Sequence, residues 1–379
     1  MPHLHSEDQY KMKKNMRLVH PNLPRIEEFK KHLSDIWDSA NLSNFGKYES
    51  LFRLGVKKYL KLENVVTASS GTVALTITLR ALGTGKKILS SPFSFPATIQ
   101  AAILNGSDVD FADIDPNTGN VSIDSLLKFD ISKYDILLFP HVYSIPCNIQ
   151  RICELTQGTS IFTVYDAAHG FGTQVNNKHL SSFGDISTLS FHATKILNSG
   201  EGGAILTSNH NLARKCQAIS NFGLDSGDSQ YMAVGLNGKM SELHALLGYM
   251  NLKIIDRVIQ KRRSLYHRYI RNLAEFDLGY ILKPNDDSNV KMNGAYMPIY
   301  FYDKDSLLLA ERRLKDENVE TRRYFDYRID RAYAFFSGRR NPLALPIFEN
   351  MVGNVLCVPT HSKISSRDVD RVCEVLVKK

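Results

Sequence analysis

Between residues 64 and 207, short apolar runs alternate with amphipathic stretches. "NVVTAS" (64–69), "KKILSS" (86–91), "SDVDFADI" (107–114), "YDILLFPHV" (134–142), "SIFTVYDAA" (160–168), "DISTLSFHA" (185–193) and "GGAILTS" (202–208) each predict a short buried strand. "GTVALTITLRALG" (71–83), "PATIQAAILNG" (96–106), the short "DSLLKFD" (124–130) and "NIQRICELTQG" (148–158) predict the helices between them. Continuous apolar strands separated by helices imply a mostly parallel sheet covered on both faces, an α/β fold. From 208 to 270 the pattern turns helical, with "HNLARKCQAISN" and "MSELHALLGYMNLKIIDRVIQKRRSLYHRYI". The remainder mixes strands such as "AYMPIYF" with helices such as "DSLLLAERRLKDEN" and "SSRDVDRVCEVLVKK". A further amphipathic helix, "IEEFKKHLSDIWDSA", precedes residue 50. The expected division is an extension over 1–15, a large domain over 16–255 that includes the N-terminal helical segment, and a smaller C-terminal α/β domain over 256–379.

Composition narrows this picture. The 379 residues are 43% hydrophobic and 23% charged, an ordinary globular balance with length enough for a large core. The net charge of +8 is spread over short clusters, Lys11–Lys14, Lys261–Arg263, Arg312–Lys315, Thr321–Arg323 and Gly338–Arg340. These read as solvated faces or as attraction for an anionic, phosphorylated ligand. No basic tract interleaved with aromatics points to nucleic acid. Five cysteines without a CxxC pair imply neither a disulfide framework nor a zinc site, and reduced thiols in a cytoplasmic protein are expected. His3 and His5 read as tail rather than metal ligands. The first twenty residues lack the apolar region of a signal peptide, and no run reaches the ~18 apolar residues of a membrane span.

Ligands of open α/β sheets bind at the carboxyl ends of the strands. Four segments there carry chemistry. "SSGT" (69–72) opens a helix and offers free N–H groups and hydroxyls, an anion cradle or a plain helix cap. Asp166 ends an apolar strand, so its carboxylate needs a partner, in a structural ion pair or in a site. His169 follows as a core polar residue or a site residue. Lys195 sits in "SFHATKILNSGEGGAI" (190–205), where its neighbours are small or apolar. A desolvated lysine has a lowered pKa and can attack a carbonyl, whereas the plainer alternative is an ion pair with Asp185 or Glu201. No Walker motif or strand–GxGxxG–helix unit is present, so a nicotinamide or flavin site has no support. A phosphate cradle, a lysine and a buried acid are together what pyridoxal 5'-phosphate requires.

The chain resembles the DegT/DnrJ/EryC1/StrS nucleotide-sugar aminotransferases, pyridoxal-phosphate enzymes of the fold-type I group that includes aspartate aminotransferase. The likeness runs from "HPNLPRIEEFKKHL" and "LSNFGKYESLF" through "ASSGTVALTITLRALG" and "PFSFPATIQAAILNGSDVDFADIDPNTGNVS". It continues through the long signature "VYDAAHGFGTQVNNKHLSSFGDISTLSFHATKILNSGEGGAI" to "GLNGKMSELHALLGYMNL". The resemblance implies that Lys195 carries the cofactor as a Schiff base and moves the proton. Asp166 would pair with the pyridine nitrogen and His169 would sit near the ring hydroxyl. Phe95 and Ala168 would flank the ring, and Gly71, Thr72 and Ser190 would hold the phosphate. Asn237 would reach the phosphate in the partner subunit, which implies an obligate homodimer. Lys239 and His192 fall on the substrate side.

Two features depart from the family pattern. Gly238 and Lys239 stand where an aromatic and an arginine are common, and "HVYSIP" (141–146) replaces the turn "HLYG". Related dehydratases carry a histidine in place of the lysine, so Lys195 argues for transamination. The implied activity is amination of a nucleotide-linked keto-deoxysugar by L-glutamate, for a bacterial surface glycan such as O-antigen lipopolysaccharide. The substrate leaned to is a dTDP-4-keto-6-deoxyhexose aminated at C4. Alternatives are C3 amination, a UDP or GDP carrier, a sugar dehydratase, or a regulatory protein on the same fold.

Overall fold

The computed structural model describes residues 15–225, 230–286 and 288–378; His3, His5 and Lys11–Lys14 lie outside the described residues. The main sheet has seven strands: β1 (Asn64–Ala68), β2 (Lys87–Ser90), β3 (Asp108–Phe111), β4 (Ile136–Pro140), β5 (Phe162–Asp166), β6 (Ile186–Ser190) and β7 (Gly203–Thr207). Their order across the sheet is β1-β7-β6-β5-β4-β2-β3. The pairs β2–β3, β2–β4, β4–β5 and β5–β6 are parallel, whereas β7 runs antiparallel to both its neighbours. The mostly parallel sheet expected from the apolar runs is present. The one reversal follows from β6 and β7 being joined without a crossover helix, since parallel neighbours require one.

Alternating strand residues feed two cores. Val66, Ile186 and Ile205 pack with helix α3 (Gly71–Leu82) and helix α4 (Pro96–Leu104), while Val65, Leu189, Ala204 and Leu206 pack with helix α2 (Lys47–Leu60). The sheet is therefore buried on both faces, which is why its strands read as unbroken apolar runs.

Helix α2 was not predicted, for a physical reason. Its N-terminal N–H groups, on Tyr48 and Glu49, donate to the carboxylate of Glu242 at 2.7 and 3.0 Å, so the cap is 190 residues distant. The long helical stretch 240–270 also divides, into Glu242–Leu252 and Ile255–Asn272. The second of these serves two cores. Ile255, Val258 and Ile259 join the α2 side, and Leu265, Tyr266 and Tyr269 pack under a three-stranded sheet of Gly279–Ile281, Pro298–Phe301 and Val355–Cys357. Short helices at Ile329–Ser337 and Pro346–Met351 add to this region without a strong sequence signal.

Among the described residues, no helix is long and apolar enough to cross a membrane, and no cluster of His, Cys, Asp and Glu could hold a metal ion. Cys147, Cys216, Cys357 and Cys373 are buried free thiols, and Cys153 is an exposed one.

Candidate active site

The parallel strands deliver their carboxyl ends to one rim of the sheet. Register places Pro140 beside Asp166, and the antiparallel β7 places Gly203 beside both Ala68 and Ser190. At this rim lies a cavity of about 260 Å³. Nine of the residues singled out from the sequence line it: Gly71, Thr72, Phe95, Asp166, Ala168, His169, Ser190, His192 and Lys195.

One end is built from the turn after β1. Ser70 caps α3 by accepting from the N–H of Val73 at 3.1 Å. The N–H groups of Gly71 and Thr72 meet no protein acceptor, so two orphan donors and the positive end of a three-turn helix are left for an anion. Gly71 is required for close packing, because a Cβ there would stand 2.8 Å from the Cβ of Ser190. The two readings of "SSGT" are therefore compatible: Ser70 is the cap, and the N–H groups of Gly71 and Thr72 remain available for a cradle.

Asp166 is 7% exposed at the end of β5. Its Oδ2 accepts from Thr98 Oγ1 at 2.7 Å and its Oδ1 from the N–H of Ala168 at 3.1 Å. Thr98 Oγ1 also lies 2.7 Å from Ser94 Oγ, and with the Thr98 hydrogen committed to Asp166 the Ser94 hydroxyl is the donor. Burial raises the Asp166 pKa, and those two hydrogen bonds and the Lys195 charge pull the other way. Thr98 and Ser94 were not singled out from the sequence. The signal for Thr98 was a hydroxyl on the first turn of helix α4, and Ser94 lies just before that helix.

Lys195 faces this acid across the cavity. Dense surrounding protein lowers its pKa to about 8, although the cavity leaves the side chain part-exposed, and the negative charge of Asp166 offsets some of that shift. Its Nζ donates to the hydroxyl of Tyr296 at 3.3 Å. Neither ion pair considered from the sequence forms. Glu201 stands 3.6 Å from His192 Nε2, and Asp185 accepts from the N–H of Thr163. Tyr296, on the approach to a strand of the second sheet, gave no local sign of belonging to the site.

His169 is held by the loop that departs from the family pattern. The N–H of Tyr143 donates to His169 Nδ1 at 3.1 Å, which leaves Nε2 to carry the ring hydrogen in the neutral tautomer. Burial, aided by the Lys195 charge, holds its pKa well below the usual histidine range. Asn120 anchors the same loop through the N–H of Val142 at 2.9 Å, and Ser144 bonds Thr173 at 2.6 Å. His141 also lines the cavity. Its ring stacks on Tyr165 and its Nδ1 accepts from the N–H of Cys147.

The mouth is aromatic. Phe95 is half exposed, edge-on to Tyr327, and Arg322, Tyr324 and Phe325 line the wall from the C-terminal part of the chain. His192 is exposed there, its Nδ1 2.8 Å from Thr194 Oγ1. Two expected residues are not brought in. Asn237 is exposed outside the cavity, although the carbonyl of its neighbour Gly238 accepts from the N–H of Ser69 and so abuts the cradle turn. Lys239 is turned away, donating to Asn221 Oδ1 at 3.1 Å over the ring of Phe222. A bond to Asn221 and a cation–π contact hold it outside this chain's own cavity.

Over most of its length the chain is similar to known proteins. Residues 25–377 match the model of the DegT/DnrJ/EryC1/StrS aminotransferase family. The dTDP-4-amino-4,6-dideoxy-D-glucose transaminase of Shigella dysenteriae is 30% identical, covering 94% of this chain and 96% of that protein. The Escherichia coli enzyme of the same name is 28% identical over 97% and 99%. The solved structure of DesI in the presence of its TDP-sugar product superposes with a TM-score of 0.86 at 28% identity, covering 96% and 92% of the two chains. The chain therefore belongs to the DegT/DnrJ/EryC1/StrS family and is a pyridoxal-phosphate-dependent aminotransferase of fold type I.

Proposed function

We propose that this enzyme transfers the amino group of L-glutamate to a nucleotide-linked keto-deoxysugar, the substrate being a dTDP-4-keto-6-deoxyhexose aminated at C4. The observation that carries the reading is the single cavity in which a lysine of lowered pKa, a buried hydrogen-bonded carboxylate and an unclaimed helix N-terminus face one another. That set fits pyridoxal phosphate. Gly71, Thr72 and Ser190 would hold its phosphate, Asp166 its ring nitrogen, His169 its ring hydroxyl, and Phe95 and Ala168 its two faces. Bound there, the cofactor supplies an electron sink that lets an amino group move from a donor to a ketone.

The chain's own groups do the rest. With a pKa of about 8, roughly a tenth of Lys195 is uncharged at pH 7, against less than a thousandth for an ordinary lysine. The free amine would hold the cofactor and, once the donor's amine has displaced it, would be the base that takes the proton from the donor's α-carbon and, with the ketosugar, the acid that delivers one to the sugar carbon. Asp166, fixed by Thr98 and Ala168, would keep a proton on the ring nitrogen. His192 and the aromatic mouth receive the sugar. Asn237, lying on the outer face beside the cradle turn, serves the phosphate of a partner subunit in a homodimer, and Lys239 beside it reaches toward that partner's substrate.

The dTDP carrier and C4 position follow the names of the two transaminases, and retention of Lys195 favours transamination over dehydration. Incubating the enzyme with glutamate and dTDP-4-keto-6-deoxyglucose should yield 2-oxoglutarate and a dTDP-4-amino-4,6-dideoxyhexose. Turnover only with a GDP- or UDP-linked ketosugar, or a product aminated at C3, would replace the substrate and keep the reaction. Loss of a sugar hydroxyl without 2-oxoglutarate would overturn the reading.

A further inference from the structure

Behind Tyr296 lies a second, much smaller cavity of about 20 Å³, and Arg262 lines it. Arg262 belongs to helix Ile255–Asn272 and is 3% exposed. Among the described residues its guanidinium has no ion-pair partner and makes no hydrogen bond, and its buried Nε is unpartnered. Its neighbour shows what is missing: Arg263 donates to the carbonyls of Lys291 and Gly172 at 3.0 and 3.2 Å.

The polar groups around Arg262 supply no countercharge. His361 Nε2 bonds the carbonyl of Arg17 at 3.0 Å and its Nδ1 accepts from the N–H of Lys363, so the ring is neutral and has no lone pair to spare. The hydroxyls of Thr360, which donates to the carbonyl of Ala295, and of Tyr296, which accepts from Lys195, are neutral and can offer a lone pair but no charge. Among the described residues no carboxylate lines the cavity, whose polar walls are Thr194, Arg262, Tyr296, Tyr324 and Thr360. Burial lowers the arginine's pKa to about 10, which still leaves it charged at neutral pH. An uncompensated buried cation is costly, and arginine cannot relieve the cost by losing its proton.

We propose that this cavity binds one small monovalent inorganic anion, such as chloride, against the Arg262 guanidinium. The space suits a single particle about the size of a water molecule and is too small for the carboxylate end of an amino acid or for a sugar phosphate. A water would supply lone pairs but no countercharge. Thr194, Tyr296 and Tyr324 form part of both this cavity and the larger one, so occupancy here is felt at Lys195 through Tyr296.

Crystals of the intact enzyme grown in sodium bromide should show an anomalous peak at hydrogen-bonding distance from Arg262, inside this cavity. Density for water alone, or an empty cavity, overturns the proposal. In solution, replacing sodium gluconate by sodium chloride at constant ionic strength should raise the unfolding midpoint saturably, and Arg262→Met should abolish the dependence. A midpoint indifferent to chloride in the parent, or the same dependence in the variant, contradicts it. Should Arg262→Met fail to fold, the bromide map of the parent decides the matter.

Discussion

Two residues concentrate the proposed chemistry of the site, and each was visible in the sequence for a different reason. Lys195 stood out because its neighbours are small and apolar, and the same burial pulls its pKa to about 8. The sign of the pH dependence follows. The reactive amine is the uncharged form, so the rate at which cofactor-free enzyme captures pyridoxal phosphate should climb with pH and level off above about 8. Absorbance-monitored capture rates that keep rising to pH 10 would show an ordinary lysine. Asp166 stood out as an acid closing an apolar strand. Asp166→Asn keeps its shape but loses the charge opposite the ring nitrogen. Such groups are worth about 3–4 kcal/mol in a transition state, so turnover should fall roughly 10²–10³-fold while the cofactor is retained. Turnover within a few-fold of the parent would make Asp166 a structural acid. Thr98, which orients that carboxylate, and Tyr296, which accepts from Lys195, escaped notice because their partners are 68 and 101 residues away.

Elements were legible where their signals are local. Helix α3 is bracketed by the Ser70 cap and by Gly83, and all seven main-sheet strands fall within the predicted runs. Helix α2 was not, because Glu242 caps it from a distant helix. The reversal of β7 is a property of the connection and not of its residues. The junction between β6 and α3 depends on the absent side chain of Gly71. Gly71→Ala should push the cradle off the end of β6 and weaken cofactor retention at least tenfold, read by spectrophotometric titration. Parent-like affinity in that variant would mean that the helix start is free to shift and that the cradle does not depend on this contact.

At the scale of the whole molecule, the proposed homodimer would complete each site with residues of the other chain. Gly71, Thr72, Ser190 and Lys195 gather in the cavity, whereas Asn237 and Lys239 are on the outer face beside the cradle turn. Sequence proximity to a recognisable motif could not reveal which chain's cavity those residues serve. In a homodimer with shared sites, Lys195→Ala and Asn237→Ala damage different halves of the same site. Mixing the two inactive variants under exchange conditions should therefore restore part of the parent activity, because one site in each mixed dimer is intact. No recovery despite verified subunit exchange would confine each site to a single chain.

The central claim is that one lysine, placed in this cavity by the end of β6, carries the cofactor. Reducing the purified enzyme with borohydride in the presence of pyridoxal phosphate and mapping the labelled peptide tests it directly. The label should fall on Lys195 alone, within "SFHATKILNSGEGG", and Lys195→Ala should remain folded, unlabelled and inactive. Stoichiometric label on any other lysine would contradict the account.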